Sequence, residues 1–248
     1  MRLIRAEILK LRRRRGMVAL SAVLTIGAMA ILFGVLAALH LADPSRSGAG
    51  GAGHFSDAIG VLSMTAAIVG VIIGSTAGGA DIEAGVFRDL AATGRSRIEL
   101  LLVRVPGAWA LLAPLLLIAA ALSALLATLL AGPGGAPDTA QIVGGVAAVL
   151  AAGAVTSTVC VGLAALTGSR GIVIGIALAF QLGVSPLLAQ INALGDARWG
   201  IPQIAVGRLS DAAGLTAEMG LGLAIGVLVA WSAVALAAGA WRTTTQEI

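Results

Sequence analysis

Apolar residues in this chain fall in long unbroken blocks, not at alternating positions or along one helix face. Six blocks, over 17–42, 58–80, 105–131, 139–169, 171–195 and 219–241, are free of Asp, Glu, Lys and Arg. Each is at least as long as the roughly 20 residues a helix needs to cross a hydrocarbon core. The missing charges matter, because one at mid-membrane costs about 2.5–3.5 kcal/mol even on a lenient scale. Backbone groups in lipid must be satisfied within the segment or in a closed barrel. The ten-residue alternation of barrel strands is not seen, so the blocks read as helices. The fourth block exceeds what a span needs, which places its core at 142–166. The polar turn Gly168-Ser169-Arg170-Gly171 separates it from a fifth span over 171–191. The expected fold is an all-α integral membrane domain of six spans.

Composition and charge refine this picture. Of 248 residues, 58% are hydrophobic and 11% charged, against about 25% charged in soluble domains. Arg2, Arg5, Lys10, Arg12, Arg13, Arg14 and Arg15 precede the first span, and Arg88, Arg95, Arg97 and Arg104 sit in the second connection. With Arg170 and Arg242 they put thirteen of the sixteen basic residues on one side, leaving Arg46, Arg198 and Arg208 on the other. Basic connections stay in the cytoplasm, so both termini are expected inside. The first apolar run, about 26 residues, exceeds the 7–15 of a cleavable signal and reads as a retained span. Cys160 is the single cysteine and His40 and His54 the only histidines, so neither a disulfide nor a metal site is expected. Nor is a nucleic-acid partner.

Two basic stretches carry further pattern. Over 2–15, Leu3, Ile4, Ile8 and Leu11 share a helical arc, and Arg5, Lys10, Arg12 and Arg13 lie outside it. Glu7 intrudes on that arc and Leu9 faces away from it. This predicts an amphipathic helix on the membrane surface whose basic residues hold anionic lipid. A simple topogenic charge cluster is a compatible reading. Over 81–104, Ile82, Val86 and Leu90 recur every four residues, as in a short one-faced helix. Gly94 then offers a left-handed stop, and Ser96 with Glu99 has capping-box spacing at the start of the next helix. Such a segment is either a compact knob that another protein grips or a solvated, charge-balanced loop.

The arrangement Glu83-x-Gly85-x-x-Arg88-x-Leu90, then Gly94-Arg95-Ser96-Arg97 and Leu100-Leu101, resembles the loop after the second span of type-2 ABC exporter permeases. Val86 stands where that family commonly has threonine, and Gly94-Arg95 where proline is frequent. The basic amphipathic start and the six-span layout agree with it along essentially the whole chain. The resemblance implies the membrane-spanning permease subunit of a bacterial inner-membrane exporter. It implies pairing with a second copy or a paralogue, on two cytoplasmic ATPase subunits that bind the ATP and Mg. Glu83, Gly85, Arg88, Gly94, Arg95, Ser96 and Arg97 would form the coupling helix, and residues 1–15 the elbow. The outer connection after the fifth span would be a partly re-entrant gate.

The residues themselves permit that reading. A phosphate-binding loop needs Gly-Lys-Ser/Thr, and the only lysine, Lys10, precedes Leu11. This chain is therefore not expected to be an ATPase. Ion-driven carriers usually keep a titratable relay in the membrane, whereas here Gln181 and the Thr156-Ser157-Thr158 cluster are the main mid-span polar groups. These four are candidates for a substrate path or for packing between helices. Gly70/Gly74/Gly78, Gly171/Gly175 and Gly222/Gly226 repeat at a spacing that permits close helix approach. Beyond the fifth span, Ile201, Ile204 and Leu209 suggest a short surface helix with Pro202 in its first turn, and Trp199 suits an interfacial belt. An ATP-independent carrier or a membrane anchor for a signalling partner are the alternatives. An intramembrane enzyme ranks below them, since both histidines lie at or beyond the outer edge.

Overall fold

Capping residues and left-handed glycines mark several of the helix boundaries in this chain. The structure, a computed structural model, describes residues 2–43, 48–86, 94, 96–132, 135–210 and 219–245. Nine helices run through these residues: α1 (Arg2–Arg12), α2 (Arg15–Ala42), α3 (Ala52–Glu83), α4 (Arg97–Leu102), α5 (Arg104–Leu129), α6 (Thr139–Thr167), α7 (Arg170–Gln190), α8 (Pro202–Leu209) and α9 (Leu221–Thr245). A 3₁₀ stretch, Asn192–Gly200, precedes α8, and no strand occurs among the described residues. Six helices (α2, α3, α4 with α5, α6, α7 and α9) are long and apolar enough to cross a membrane. This is the architecture of a multi-pass helical membrane protein.

Local chemistry accounts for the boundaries. Asp138 caps α6 reciprocally with Gln141: Gln141 N–H donates to Asp138 Oδ1 at 2.7 Å, and Asp138 N–H donates to Gln141 Oε1 at 3.0 Å. At its other end Gly168 turns left-handed (φ 75°), and Ser169 then accepts from Ile172 N–H to start α7. Two residues thus reverse the chain between α6 and α7. Ser96 Oγ accepts from Glu99 N–H at 3.4 Å, which makes Ser96 the N-cap of α4. The proposed helix joining Ile82, Val86 and Leu90 needs correction. Ile82 lies in the last turn of α3, and Gly85, at φ 71°, breaks the backbone between it and Val86. A residue with a side chain resists that conformation, so Gly85 stops the helix ahead of Gly94 (φ 82°). Residues 87–93 and 95, Arg88, Leu90 and Arg95 among them, lie outside the described residues.

α3 begins six residues before the apolar block and ends three after it. It is the axis of the bundle, packed most extensively on α6 and then on α5. The α3–α6 seam is made of glycines. A Cβ at Gly70 would lie 2.9 Å from Gly153 O, one at Gly78 would lie 2.6 Å from Val161 O, and one at Gly74 would collide with Ser157 O. In lipid, where packing replaces hydrophobicity as the force between helices, such approach brings whole backbones into contact. A second seam joins α6 to α9, where a Cβ at Gly239 would lie 2.6 Å from Gly162 O. The other two repeats behave differently. Gly175, Gly222 and Gly226 meet nothing within 4 Å, and Gly171 only a serine oxygen at 3.9 Å.

The two kinds of glycine should respond differently to a methyl group. Gly74→Ala is expected to lower the melting temperature of the detergent-solubilised protein, since overpacking costs about 1–3 kcal/mol. Gly226→Ala, which adds helix propensity in open space, should leave it unchanged or raise it slightly. Equal melting shifts for the two would contradict the seam.

Candidate functional site

A polar network closes the basic end of the bundle. Arg104, the first residue of α5, is 1% exposed. Its Nη1 donates to Gly78 O at 2.6 Å and its Nη2 to Asp81 Oδ2 at 3.4 Å, both on the last turns of α3. Lys10 of α1 reaches the same Asp81 oxygen at 2.8 Å and Glu7 Oε2 at 2.6 Å. Glu7 sits on the bundle-facing side because α1 lies against α5, where Gly107 leaves space for its Cβ: one added at Gly107 would be 2.8 Å away. The intrusion of Glu7 on the apolar arc of α1 is therefore functional in packing. Lys10, expected among the membrane-surface cations, is half-buried and ties α1 to α3 through Asp81. Arg5, Arg12 and Arg13 are exposed, and Leu11 is fully buried as the anchor of the helix.

Glu83 belongs to a second tie. Its Oε1 accepts from Arg170 N–H at 2.7 Å and Ser169 Oγ–H at 3.3 Å, while Oε2 pairs with Arg170 Nε at 2.9 Å. The carboxylate thus grips the α6–α7 turn. Arg97, one residue past the Ser96 cap, donates from Nη1 to Thr243 O near the end of α9 at 3.1 Å. The connection between α3 and α4 is accordingly fastened on both flanks. Asp81 holds it to α1 and α5, Glu83 to α7, and Arg97 to α9.

Away from the basic end, a cavity of about 270 Å³ opens among α3, α6, α7 and α8. Thr156 and Gln181 line it together with Ser63, Met64 and Gln203, and no charged side chain does so among the described residues. Ser157 and Thr158 stand elsewhere. Ser157 is fully buried against Gly74, its hydroxyl bonded to Ala154 O at 3.0 Å. Thr158 faces α5, where Trp109 Nε1–H donates to its Oγ1 at 3.1 Å.

α7, which contributes Gln181 to the cavity wall, carries Pro186 a little further on. Lacking an N–H, proline disrupts the helical ladder one turn back, and α7 widens into a π turn over Phe180–Val184 just before it. A widened turn exposes backbone groups to partners. Gln203 of α8 uses one of them: its Nε2–H donates to Gln181 O at 2.8 Å, while its Oε1 accepts from the side-chain hydroxyl of Ser185. α8 starts with Pro202 as expected but does not lie on the surface, because Ile204, Ala205 and Val206 are buried against α6 and α9. Trp199 is half-buried and follows the 3₁₀ path. No group of three or more potential metal ligands occurs among the described residues.

Arg104, Asp81 and Gln203 were not singled out as site residues from sequence, and Glu7 only as an intrusion on an apolar arc. For the first two a signal existed: each is the first charge beyond facing ends of adjacent antiparallel blocks. No protein-family model matches this chain, and no curated protein sequence does.

Removing the shared carboxylate should be costly. Asp81→Asn deprives both Lys10 and buried Arg104 of their charge partner, and breaking such a buried pair costs on the order of 3 kcal/mol. A melting curve indistinguishable from wild type would show that the network is ornamental to stability.

Proposed function

We propose that this chain is the membrane-spanning permease subunit of a bacterial ABC exporter, seated in the inner membrane with both termini in the cytoplasm. The basic residues before α2, around α4 and at the start of α7 support that orientation. α1 is then the elbow helix, and the connection between α3 and α4 is the coupling element that contacts a separate ATPase subunit. That subunit holds ATP and Mg, and a second permease copy or a paralogue completes the assembly.

One observation carries the reading. On either side of the α3–α4 connection, the ends of α3 and α4 are fastened to four other helices through Asp81, Glu83 and Arg97. A push on it therefore reaches α1, α5, α7 and α9 together, which is what transmission of force from a partner requires. Glu83 acts in this scheme by gripping Arg170, not by touching the partner. The cavity lined by Thr156 and Gln181 is the candidate translocation path. Its neutral hydrogen-bonding groups on an apolar wall suit a substrate that is moved by changes in helix tilt, with no ion relay.

Gentle extraction of tagged protein from its native membrane should bring down an ATP-binding subunit. In the reconstituted complex, Glu83→Ala and Arg170→Ala should lower substrate-stimulated ATP hydrolysis to a similar extent. Both should still insert and melt nearly as wild type, since the side chains are 31% and 43% exposed and such pairs are worth about 1 kcal/mol or less. Full stimulation in both variants, or transport by the purified chain alone in liposomes, would overturn the proposal.

A further inference from the structure

A second cavity, of about 350 Å³, opens at the basic end between the start of α2, the last third of α3 and the start of α7. Arg14, Arg15 and Arg170 line its polar side, and Met17, Leu20 and Ile72 its apolar side. Arg170 meets Glu83 through Nε. Arg14 and Arg15 form no ion pair with any described carboxylate, their recorded bonds being backbone ones. Two uncompensated guanidinium charges therefore face one cavity beside a third. We infer that this cavity is a discrete binding site for one anionic phospholipid, its phosphodiester held by Arg14, Arg15 and Arg170.

The chemistry matches on three counts. Guanidinium forks fit phosphate oxygens bidentately, and clustered arginines at the membrane surface recognise anionic head groups. The apolar wall continues along α2 toward mid-membrane, with Leu20 half-exposed, which gives an acyl chain a surface that a free phosphate would leave uncovered. Gly16 leaves room between the two, since a Cβ there would meet nothing within 4 Å. Thr76, at the back, donates its hydroxyl proton to Ile72 O at 2.7 Å. It can then only accept, as from the glycerol hydroxyl of phosphatidylglycerol. The site is distinct from the exposed cations of α1, because Arg12 and Arg13 lie outside the cavity. It requires a membrane but no ATPase, so it stands or falls separately from the transport reading.

The test is native mass spectrometry of the full chain, delipidated in mild detergent and titrated with phosphatidylglycerol, phosphatidylcholine or inorganic phosphate. Wild type should retain one phosphatidylglycerol. R14Q/R15Q should weaken that binding about ten-fold or more, and the charge-matched R12Q/R13Q less than about two-fold, as expected if the arginine contacts are local. If the double variant aggregates, Arg15→Gln against Arg13→Gln makes the same comparison at two exposed positions. Equal losses from both pairs would reduce the site to diffuse surface charge. Phosphatidylcholine or inorganic phosphate binding as well as phosphatidylglycerol would equally overturn it.

Discussion

The buried guanidinium of Arg104 is the constraint around which the basic end is organised. A charge so enclosed persists only with close partners, and α3 supplies them in Gly78 O and Asp81, whose carboxylate also binds Lys10 of α1. Meeting that requirement fixes the ends of α3 and α5 against each other and draws α1 down onto α5. A helix that composition would leave floating among head groups is thereby made part of the bundle. Leu11 supplies the apolar half of the same attachment.

Above that end the constraint changes from charge to shape. Glycines in α3 and α6 remove the side chains that would hold the backbones apart, and α9 joins α6 by the same means. α3, α6 and α5 thus form the core, while α2, α7 and most of α9 present mainly apolar side chains outward. The polar cavity lies at the margin of this core, where the packing of α7 is interrupted by its π turn.

The six spans were legible because burying a charge in lipid is costly enough to purge ionisable residues from long blocks, and block length then gives helix number. The α6–α7 turn was legible for a similar reason, since Gly168 and Ser169 are the stop and the cap in succession. Glycine repeats were only half legible. Spacing identifies which residues permit close approach, but Gly74 and Gly226 differ only in what stands opposite, and one sequence does not state that. The bond from Lys10 to Asp81 was not legible, because a position on the helical wheel records distance from the apolar arc and not which neighbour lies there. Gln203 was out of reach, because its role depends on one carbonyl and one hydroxyl at the π turn of a different helix.

Gln203 joins α8 to α7 at Ser185 and Gln181, and this has a mechanical result. A rotation of α7 about its own axis carries both anchor points sideways, so α8 must swing with it or release the amide. One side chain thereby converts a twist in a long helix into lateral displacement of a short one. Because Gln203 and Gln181 both line the cavity with Thr156, its wall runs continuously from one helix to the other.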